Sequence, residues 1–221
     1  MDKPTDCPEC GRKFKQLGRH FAARPKHQPT FSERQHELIT GLLLGDGWVS
    51  RERNGNPRFA VQMINEEFIK WLDTQFEEHT LGARLHRTGE DHAEICGHNP
   101  QTTNDLWRFK TRTNPRLEQY RDWYGEGGKR YPKSLELTPT ILKMWYVSDG
   151  SFHLPEYNVT PTLSFGCKKE ADNKQFISDL FSAIDVEITW SGHLFRVALD
   201  DAEKTWNYMG SPPPGFEYKW N

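Results

Sequence analysis

The sequence predicts an α+β protein made of two similar halves, each with the element order αββαββα, behind a small Cys/His-rich segment. Two observations predict this fold. Helical and strand patterns follow one another in the same order in residues 35–133 and again in residues 134–221. Each half also opens on an apolar helix that ends at Asp-Gly, in "LITGLLLGDGW" (residues 38–48) and "LKMWYVSDGSF" (residues 142–152). Such a repeat indicates a body with pseudo-two-fold symmetry.

The Cys/His-rich segment, residues 1–28, predicts a structural zinc site. Cys7 and Cys10 form a CxxC pair, and His20 and His27 complete a set that resembles a shortened Cys2His2 finger. The stretch between Cys10 and His20 is shorter than the usual ~12 residues, and the histidines are spaced just outside the usual range. With so few apolar side chains, the segment is not expected to fold without metal. A redox CxxC pair or unliganded thiols are the alternative.

The same segment is also basic. Its cationic side chains are Arg12, Lys13, Lys15, Arg19, Arg24 and Lys26. It is therefore a candidate to clamp DNA, and equally a candidate to contact a protein. Residues 29–34 are predicted to be a short linker. Cys96 and His98 are too close in sequence to make a good zinc pair, so His98 is predicted to be a loop residue, and Cys167 a half-buried strand residue.

The first half, residues 35–133, begins with a helix over "ERQHELITGLLLG". Two strands follow in "WVSRERNGNPRFAVQMI", joined by a turn at Asn-Gly, the strongest short hairpin signal. The spacing of Phe68, Ile69, Leu72 and Phe76 predicts a helix in "NEEFIKWLDTQFEEH". Strands are expected in "ARLHRTG" and "LWRFKTR" on either side of a long loop, and a helix in "PRLEQYRDWYG".

The second half, residues 134–221, repeats this order. Thr138 as N-cap and Pro139 at the first helical position start the helix "TPTILKMWYVSDG". Two strands are predicted in "SFHLPEYNVTPTLSFG", a helix in "DNKQFISDLFSAI" and a hairpin around Ser191 and Gly192. A last helix is predicted in "DDAEKTWNYMG".

The charge distribution is uneven although the formal net charge is only −2. Residues 1–30 and 107–133 have a clear excess of Lys and Arg, whereas residues 170–205 have an excess of Asp and Glu. Local basic surface is compatible with nucleic-acid binding, and ordinary charge clustering is the alternative. The longest apolar runs are far shorter than the ~20 residues that span a bilayer. Because the polar start "MDKPTDCPECGRK" lacks the pattern of a leader, we expect an intracellular protein with no membrane partner.

The two Asp-Gly helix ends need a chemical reason, because a carboxylate is poorly placed at the negative end of a helix dipole. If the two helices pack at the pseudo-two-fold axis, Asp46 and Asp149 lie side by side, and Gly41 and Gly45 on one helix face allow close approach. Two neighbouring carboxylates repel unless a cation lies between them. Mg²⁺ or Mn²⁺ prefers such oxygen ligands, and a carboxylate-bound metal beside basic strands predicts phosphodiester hydrolysis.

The stretches "LITGLLLGDG" and "LTPTILKMWYVSDGSF" resemble the two signature helices of single-chain LAGLIDADG homing endonucleases, and the resemblance covers residues 35–221. It implies that Asp46 and Asp149 bind the catalytic metal. It also implies that Lys129, in "KRYP", and Lys219, in "EYKW", lie at the active site, where a lysine can order water or stabilise phosphate charge. Solvated lysines are the alternative at both positions.

The two signature helices differ at the positions expected to pack on the axis. Met144 takes the place of Gly41 in the second copy, so the crossing is expected to be less tight at that level. Ser148 takes the place of Gly45 and is small enough to pack. Neither difference removes an aspartate.

The resemblance further implies that the strands form two saddle-shaped sheets along the major groove of double-stranded DNA. The first-half candidates for base contacts are Arg51, Arg53, Arg58 and Gln62. The second-half candidates are Asn158, Thr160, Thr162, Ser164, Lys168 and Lys169. The alternative for each is the solvent face of a half-buried sheet.

These features together predict a monomeric, site-specific double-strand DNA endonuclease that cuts a long asymmetric site with Mg²⁺ and carries a structural Zn²⁺. The alternative is a non-cleaving RNA maturase or DNA-binding regulator on the same scaffold. No splice-junction signature flanks the repeat, which favours a free-standing or intron-encoded protein over an intein-embedded one. Its expected location is the cytoplasm, in association with the nucleoid.

Overall fold

The computed structural model describes residues 4–7, 9–51, 55–126, 128–153 and 162–220. It confirms the predicted α+β fold, in which a small Cys/His module precedes two halves of similar topology. In the part of the chain that is described, no helix combines the length and apolarity needed to cross a membrane.

The N-terminal module consists of short elements around its cysteines and histidines. They are β1 (Thr5–Asp6), β2 (Lys13–Phe14), α1 (Leu17–Ala23) and a 3-10 turn (Pro25–His27). Its apolar interior is small: Cys7 and Phe21 are buried, and the ring of Phe14 stacks on that of His20 with centroids 3.9 Å apart. So small an interior agrees with the expectation that a metal is needed for folding.

The first half contains helices, a four-stranded sheet and a small hairpin. Its elements are α2 (Glu33–Leu44), β3 (Trp48–Arg51), β4 (Pro57–Met63), α3 (Glu66–Gln75), β5 (Arg84–Arg87), α4 (Gly89–Cys96), β6 (Leu106–Lys110), β7 (Tyr124–Gly125) and β8 (Gly128–Lys129). Ser32 and Gln35 form a capping box at the start of α2. Phe31, just before this cap, is buried in the core, so the segment predicted as a linker also takes part in packing.

Two predictions for the first half are wrong. The stretch "PRLEQYRDWYG" forms a 3-10 helix, Pro115–Trp123, rather than an α-helix. Its buried residues Leu117, Tyr120 and Trp123 recur every three positions, which is the period of a 3-10 helix. The predicted long loop contains α4, which Thr88 caps and in which Ala93 is buried. One buried residue gives too weak a periodic signal to predict a helix from sequence.

The second half repeats the arrangement. Its elements are α5 (Pro139–Asp149), β9 (Gly150–His153), β10 (Thr162–Gly166), α6 (Lys174–Ser182), β11 (Ile188–Ser191), β12 (Leu194–Val197) and α7 (Leu199–Met209), with 3-10 turns at Lys168–Glu170 and Glu217–Lys219. The hydroxyl of Thr138 accepts a hydrogen bond from the N–H of Ile141 at 3.3 Å, as predicted for an N-cap. Cys167 is fully buried and follows β10, whereas the sequence predicted a half-buried strand residue.

The two sheets are antiparallel and have equivalent strand orders. Starting from the strand that follows the signature helix, the orders are β3-β4-β6-β5 and β9-β10-β12-β11. In β4, Phe59, Val61 and Met63 are buried in the core, whereas Arg58 and Gln62 alternate with them and lie on the opposite face. In β10, Leu163 and Phe165 are buried and the intervening residues are not. Each sheet therefore has one face packed on helices and one outer face available to a partner.

Candidate active site and nucleic-acid interface

Helices α2 and α5 cross with their backbones almost in contact. A Cβ atom placed on Gly41 would lie 2.5 Å from the carbonyl oxygen of Ile141 and 2.6 Å from Cβ of Met144. One placed on Gly45 would overlap Cβ of Ser148. The expectation that Met144 loosens the crossing is therefore wrong. Gly41 has no side chain, and Cβ of Met144 lies against the space that a side chain at Gly41 would fill.

The crossing brings the two predicted aspartates together. Asp46 lies just beyond the end of α2, and Asp149 is the last residue of α5. Oδ2 of Asp149 would be 3.3 Å from a Cβ on Gly45, so this carboxylate reaches across to the partner helix. Both aspartates remain accessible to solvent at the end of the helix pair.

The glycine after each aspartate is required for space. A Cβ on Gly47 would lie 2.8 Å from the carbonyl oxygen of Leu42, and one on Gly150 would lie 2.5 Å from that of Tyr146. A side chain at either position would push the chain away from the helix end. The Asp-Gly pair thus holds each carboxylate close to the last turn of its helix.

Each helix end is also capped by a lysine side chain. Nζ of Lys129 donates to the carbonyl oxygens of Gly45 at 2.7 Å and Gly47 at 3.2 Å. Nζ of Lys219 donates to those of Val147 at 2.9 Å and Gly150 at 2.7 Å. Because the C-terminal end of a helix carries partial negative charge, the two ammonium groups offset the charge that makes an aspartate unfavourable there.

The four charged groups perturb one another. Although both carboxylates keep access to solvent, the surrounding protein partly desolvates them. This desolvation raises the pKa of Asp149 to about 6, and the negative charge of Asp46 adds to the effect. Burial also raises the pKa of Asp46, against the opposing effect of Lys129 and Lys219. Both lysines have their pKa lowered to about 8 by burial, and both aspartates oppose that shift. A pair of carboxylates with a raised pKa is a set of oxygen ligands that a divalent cation would stabilise.

The segment carrying each lysine is held by the other half. The N–H of Tyr131 donates to Oε1 of Glu170 at 2.8 Å, so the second half fixes the chain beside Lys129. In return, the chain before Lys219 lies on the first half. There the amide of Asn65 donates to the carbonyl oxygen of Gly215, and the rings of Phe216 and Phe68 meet edge to face at 5.2 Å.

The outer face of the first sheet is strongly cationic. Strand register places Gln62 opposite Arg108 and Ala60 opposite Lys110, and Arg84 also pairs with Arg108. Nη2 of Arg108 lies against Nε2 of His86, and the side-chain amide of Gln62 faces both. Burial and the positive charges of Arg108, Arg87, Lys110 and Arg84 lower the pKa of His86.

Only part of this face was predicted from the sequence. Arg58 and Gln62 lie on it, Arg51 ends β3 opposite Pro57, and Arg53 lies outside the described residues. Residues that were missed are Arg84, His86, Arg108 and Lys110. The alternation in "LWRFKTR" could have predicted Arg108 and Lys110. Side chains alternate along a strand, so a strand with Phe109 facing the core has both cations on its outer face.

The outer face of the second sheet is more neutral. Thr162 and Ser164 lie on it as predicted, and the hydroxyls of Ser164 and Ser151 are 2.9 Å apart. Lys168 and Lys169 are exposed in the 3-10 turn that follows β10. Arg196, which was not predicted, pairs with Ser164. Asn158 and Thr160 lie outside the described residues.

The four predicted zinc ligands converge. Their donor atoms all lie within 4.8 Å of one another. Sγ of Cys7 is 3.8 Å from Nδ1 of His27, Sγ of Cys10 is 3.7 Å from Nε2 of His20, and the two nitrogens are 3.1 Å apart. Ligands at ~2.3 Å (sulfur) and ~2.1 Å (nitrogen) in a tetrahedron would be separated by roughly these distances, so the cluster is compatible with zinc. Cys96 and His98 are exposed and outside it.

Comparison with known proteins agrees with this geometry. The sequence profile of the LAGLIDADG DNA endonuclease family matches residues 36–205. The solved structure of the homing endonuclease I-WcaI bound to its DNA recognition sequence is 17% identical, covers 93% of this chain and 92% of that chain, and has a TM-score of 0.72, which shows a shared fold. The homing endonuclease I-GzeII in complex with its DNA target is 11% identical over 83% of this chain and 86% of that chain, with a TM-score of 0.44, and is more distant. No curated protein matches the sequence.

Proposed function

The chain belongs to the LAGLIDADG DNA endonuclease family, and we propose that it is a monomeric, site-specific endonuclease that hydrolyses both strands of duplex DNA. The observation that supports this most is the pairing of Asp46 and Asp149 with Lys129 and Lys219 at the helix crossing. Two repelling carboxylates held side by side favour a bound cation, and this supports cleavage, although a maturase can keep them too. Because one chain supplies both halves, the site needs no second copy.

In this proposal Asp46 and Asp149 hold Mg²⁺ or Mn²⁺. The bound metal supplies Lewis-acid stabilisation of the phosphate and a lower pKa for attacking water. Lys129 and Lys219 keep an ammonium group beside each carboxylate, where it can orient water or donate to a phosphate oxygen as negative charge develops. The glycines of the crossing keep the two acids at close range.

The outer faces of the sheets are proposed to bind the duplex. On the first half, Gln62 with Arg108 and His86 presents donors and acceptors suited to base edges, and Arg58 adds positive charge. On the second half, the corresponding candidates are Thr162, Ser164, Lys168 and Lys169. The unequal charge of the two faces suits an asymmetric target. A structural Zn²⁺ would hold the N-terminal module together on Cys7, Cys10, His20 and His27.

The test is cleavage of a plasmid library with randomised inserts in Mg²⁺, by the wild type and by Asp46→Asn and Asp149→Asn. We expect linear product from a recoverable site with the wild type and none with either variant, because each variant removes one carboxylate from the metal site. Asp122→Asn, which changes an exposed aspartate of the 3-10 helix Pro115–Trp123, serves as the matched control and keeps activity. Binding without cutting by the wild type would instead favour a maturase or regulator.

A further inference from the structure

A row of cations runs along the last part of the first sheet. Arg108 and Lys110 in β6, and Arg112 just beyond it, alternate with Phe109 and Thr111, which are buried. Side chains alternate across an extended chain, so the three cations share the outer face of the sheet. The bridge between Thr80 and Thr111 shows that the extended conformation continues past the end of β6.

This row connects the proposed active site to the N-terminal module. At its start, Leu106 lines a cleft with Asp46 and Lys219. At its end, Arg112 lines a second groove with Lys15 and Arg19 of the module. Six residues of extended chain cover about 20 Å, so the groove lies roughly six base pairs beyond the cleft along a duplex.

The module and the linker that follows it both contact this end of the sheet. A Cβ on Gly18 would lie 3.7 Å from Nη1 of Arg112, so α1 packs beside the guanidinium group. The amide of Asn114 donates to the carbonyl oxygen of Pro29 at 3.2 Å. Phe31 stacks on His79 with ring centroids 4.0 Å apart. The cations of the module therefore have a defined position relative to the outer face.

The groove between module and sheet has the charge expected of a phosphate-binding surface. It has a volume of about 650 Å³, and Lys15, Arg19 and Arg112 face Glu78 as its charged lining residues. The cationic side chains of the module are exposed, namely Arg12, Lys13, Lys15, Arg19, Arg24 and Lys26. A duplex that lies on the outer face of the first sheet and extends away from the proposed active site would reach this groove.

We propose that the Cys/His module is a second DNA-binding unit, in which Lys15 and Arg19, together with Arg112, hold the sugar–phosphate backbone beyond the segment covered by the first sheet. The contact is to phosphate, so it adds affinity and orientation without reading sequence. It makes the footprint of the protein longer on the side of the first half. This inference rests on the proposed action on duplex DNA and extends the surface that performs it.

The experiment measures the salt dependence of binding to a mixed-sequence duplex of about 40 base pairs, using the full chain loaded with zinc and Ca²⁺ in place of Mg²⁺. The variants are Lys15→Gln/Arg19→Gln and Arg112→Gln. The matched control, Lys70→Gln/Lys204→Gln, removes two exposed lysines from α3 and α7, helices that pack on the inner faces of the sheets. Bound zinc is quantified for each protein.

Removal of one phosphate-binding cation reduces the slope of log affinity against log salt by about 0.9. We expect the slope to fall by about 1.8 in the double variant, with roughly 60-fold weaker binding at ~0.1 M salt, and by about 0.9 in Arg112→Gln, relative to an unchanged control. Slopes equal to the control in both variants, with zinc retained, would overturn the inference and leave a protein-contact role for the module. If the double variant does not retain zinc, the single variants Lys15→Gln and Arg19→Gln replace it, each with bound zinc verified and each with an expected fall of about 0.9 in slope. The library experiment tests the proposed catalysis, and failure to cleave there does not affect this comparison.

Discussion

Oε1 of Glu170 accepts a hydrogen bond from the backbone N–H of Tyr131 at 2.8 Å, although the two residues belong to different halves of the repeat. Glu170 is 2% exposed, and Nη1 of Arg130 approaches its other oxygen at 3.9 Å. A buried carboxylate is stable only when it is paired or hydrogen-bonded. The side-chain amide of Asn173 donates to Oε2 at 3.3 Å. The other two partners, Arg130 and Tyr131, directly follow Lys129, so Glu170 positions the segment that carries this lysine.

We expect Glu170→Ala to slow cleavage more than it weakens DNA binding, because Lys129 would no longer be fixed at the end of α2. The unsatisfied N–H of Tyr131 should also lower the free energy of unfolding by about 1–3 kcal/mol. Single-turnover cleavage, binding in Ca²⁺ and urea unfolding measure the three effects. Glu170→Gln keeps an acceptor oxygen and should recover most of the cleavage rate. If Gln and Ala variants cleave equally slowly, the hydrogen bond is not what positions Lys129.

Lys129→Met and Lys219→Met are each expected to lower the single-turnover cleavage rate by about 10²–10³-fold, because each removes an ammonium group from beside developing phosphate charge. Affinity for DNA in Ca²⁺ should change only a few-fold, since each lysine contacts the helix end rather than the outer face of a sheet. Lys133→Met, at an exposed lysine of the same connecting segment, is the matched control. A rate equal to that of this control in either variant would remove that lysine from the mechanism.

Asp149→Asn should stabilise the protein in the absence of divalent metal while abolishing cleavage. In the folded state the pKa of Asp149 is raised from 3.8 to about 6, so between these values the folded state binds more protons than the unfolded state. The free energy of unfolding therefore falls as pH rises through this window, and the penalty is complete above pH ~6. Thermal unfolding is compared at about pH 7 and at about pH 4, where the zinc ligands are protonated and both proteins have released the metal. The variant should have the higher Tm only at the higher pH. A variant Tm below that of the wild type at neutral pH would contradict this expectation.

The fold was predictable where the sequence repeats itself. Two Asp-Gly helix ends, each followed by the same order of patterns, were sufficient to predict the halves and the pairing of Asp46 with Asp149. The positioning role of Glu170 was not predictable, because it depends on a contact between segments 39 residues apart that do not share a local pattern. The 3-10 form of Pro115–Trp123 was not predicted, because in so short a segment a three-residue period differs little from the α-helical period of 3.6.

Gly41→Ala should destabilise the protein, although Ala is favoured over Gly inside a helix by about 1 kcal/mol. The added methyl group would meet the backbone oxygen of Ile141 at 2.5 Å, and backbone cannot turn aside as a side chain can. Overpacking of this kind costs about 1–3 kcal/mol, and by separating the helices it should also slow cleavage. Urea unfolding and single-turnover rates are compared with Gly125→Ala, where a Cβ meets nothing within 4 Å. A variant at Gly41 that is as stable and active as this control would show that the crossing can relax.

Cys10→Ser should reduce the bound zinc from one equivalent to a small fraction and unfold the N-terminal module, because three remaining ligands do not close a structural site. The rest of the chain has its own extensive core and should unfold at nearly the same urea concentration. Cys96→Ser changes an exposed cysteine outside the cluster and should keep one zinc. Atomic emission measures the metal, and tryptophan fluorescence follows the core. Full zinc occupancy in Cys10→Ser would show that the metal is bound elsewhere.

Each half of the protein supports the segment that carries the other half's lysine, and this limits how the halves of two family members can be recombined. A hybrid that joined residues 35–133 to the second half of another family member would keep Lys129, but Tyr131 would have an acceptor only if the new half supplied one in the place of Glu170. The converse hybrid would leave Gly215 and Phe216 to find new partners for Asn65 and Phe68. The residues that position each lysine therefore lie on both sides of the boundary between the repeats. A working exchange of DNA specificity would have to transplant each half together with the turn or N-cap that receives the other half's lysine segment.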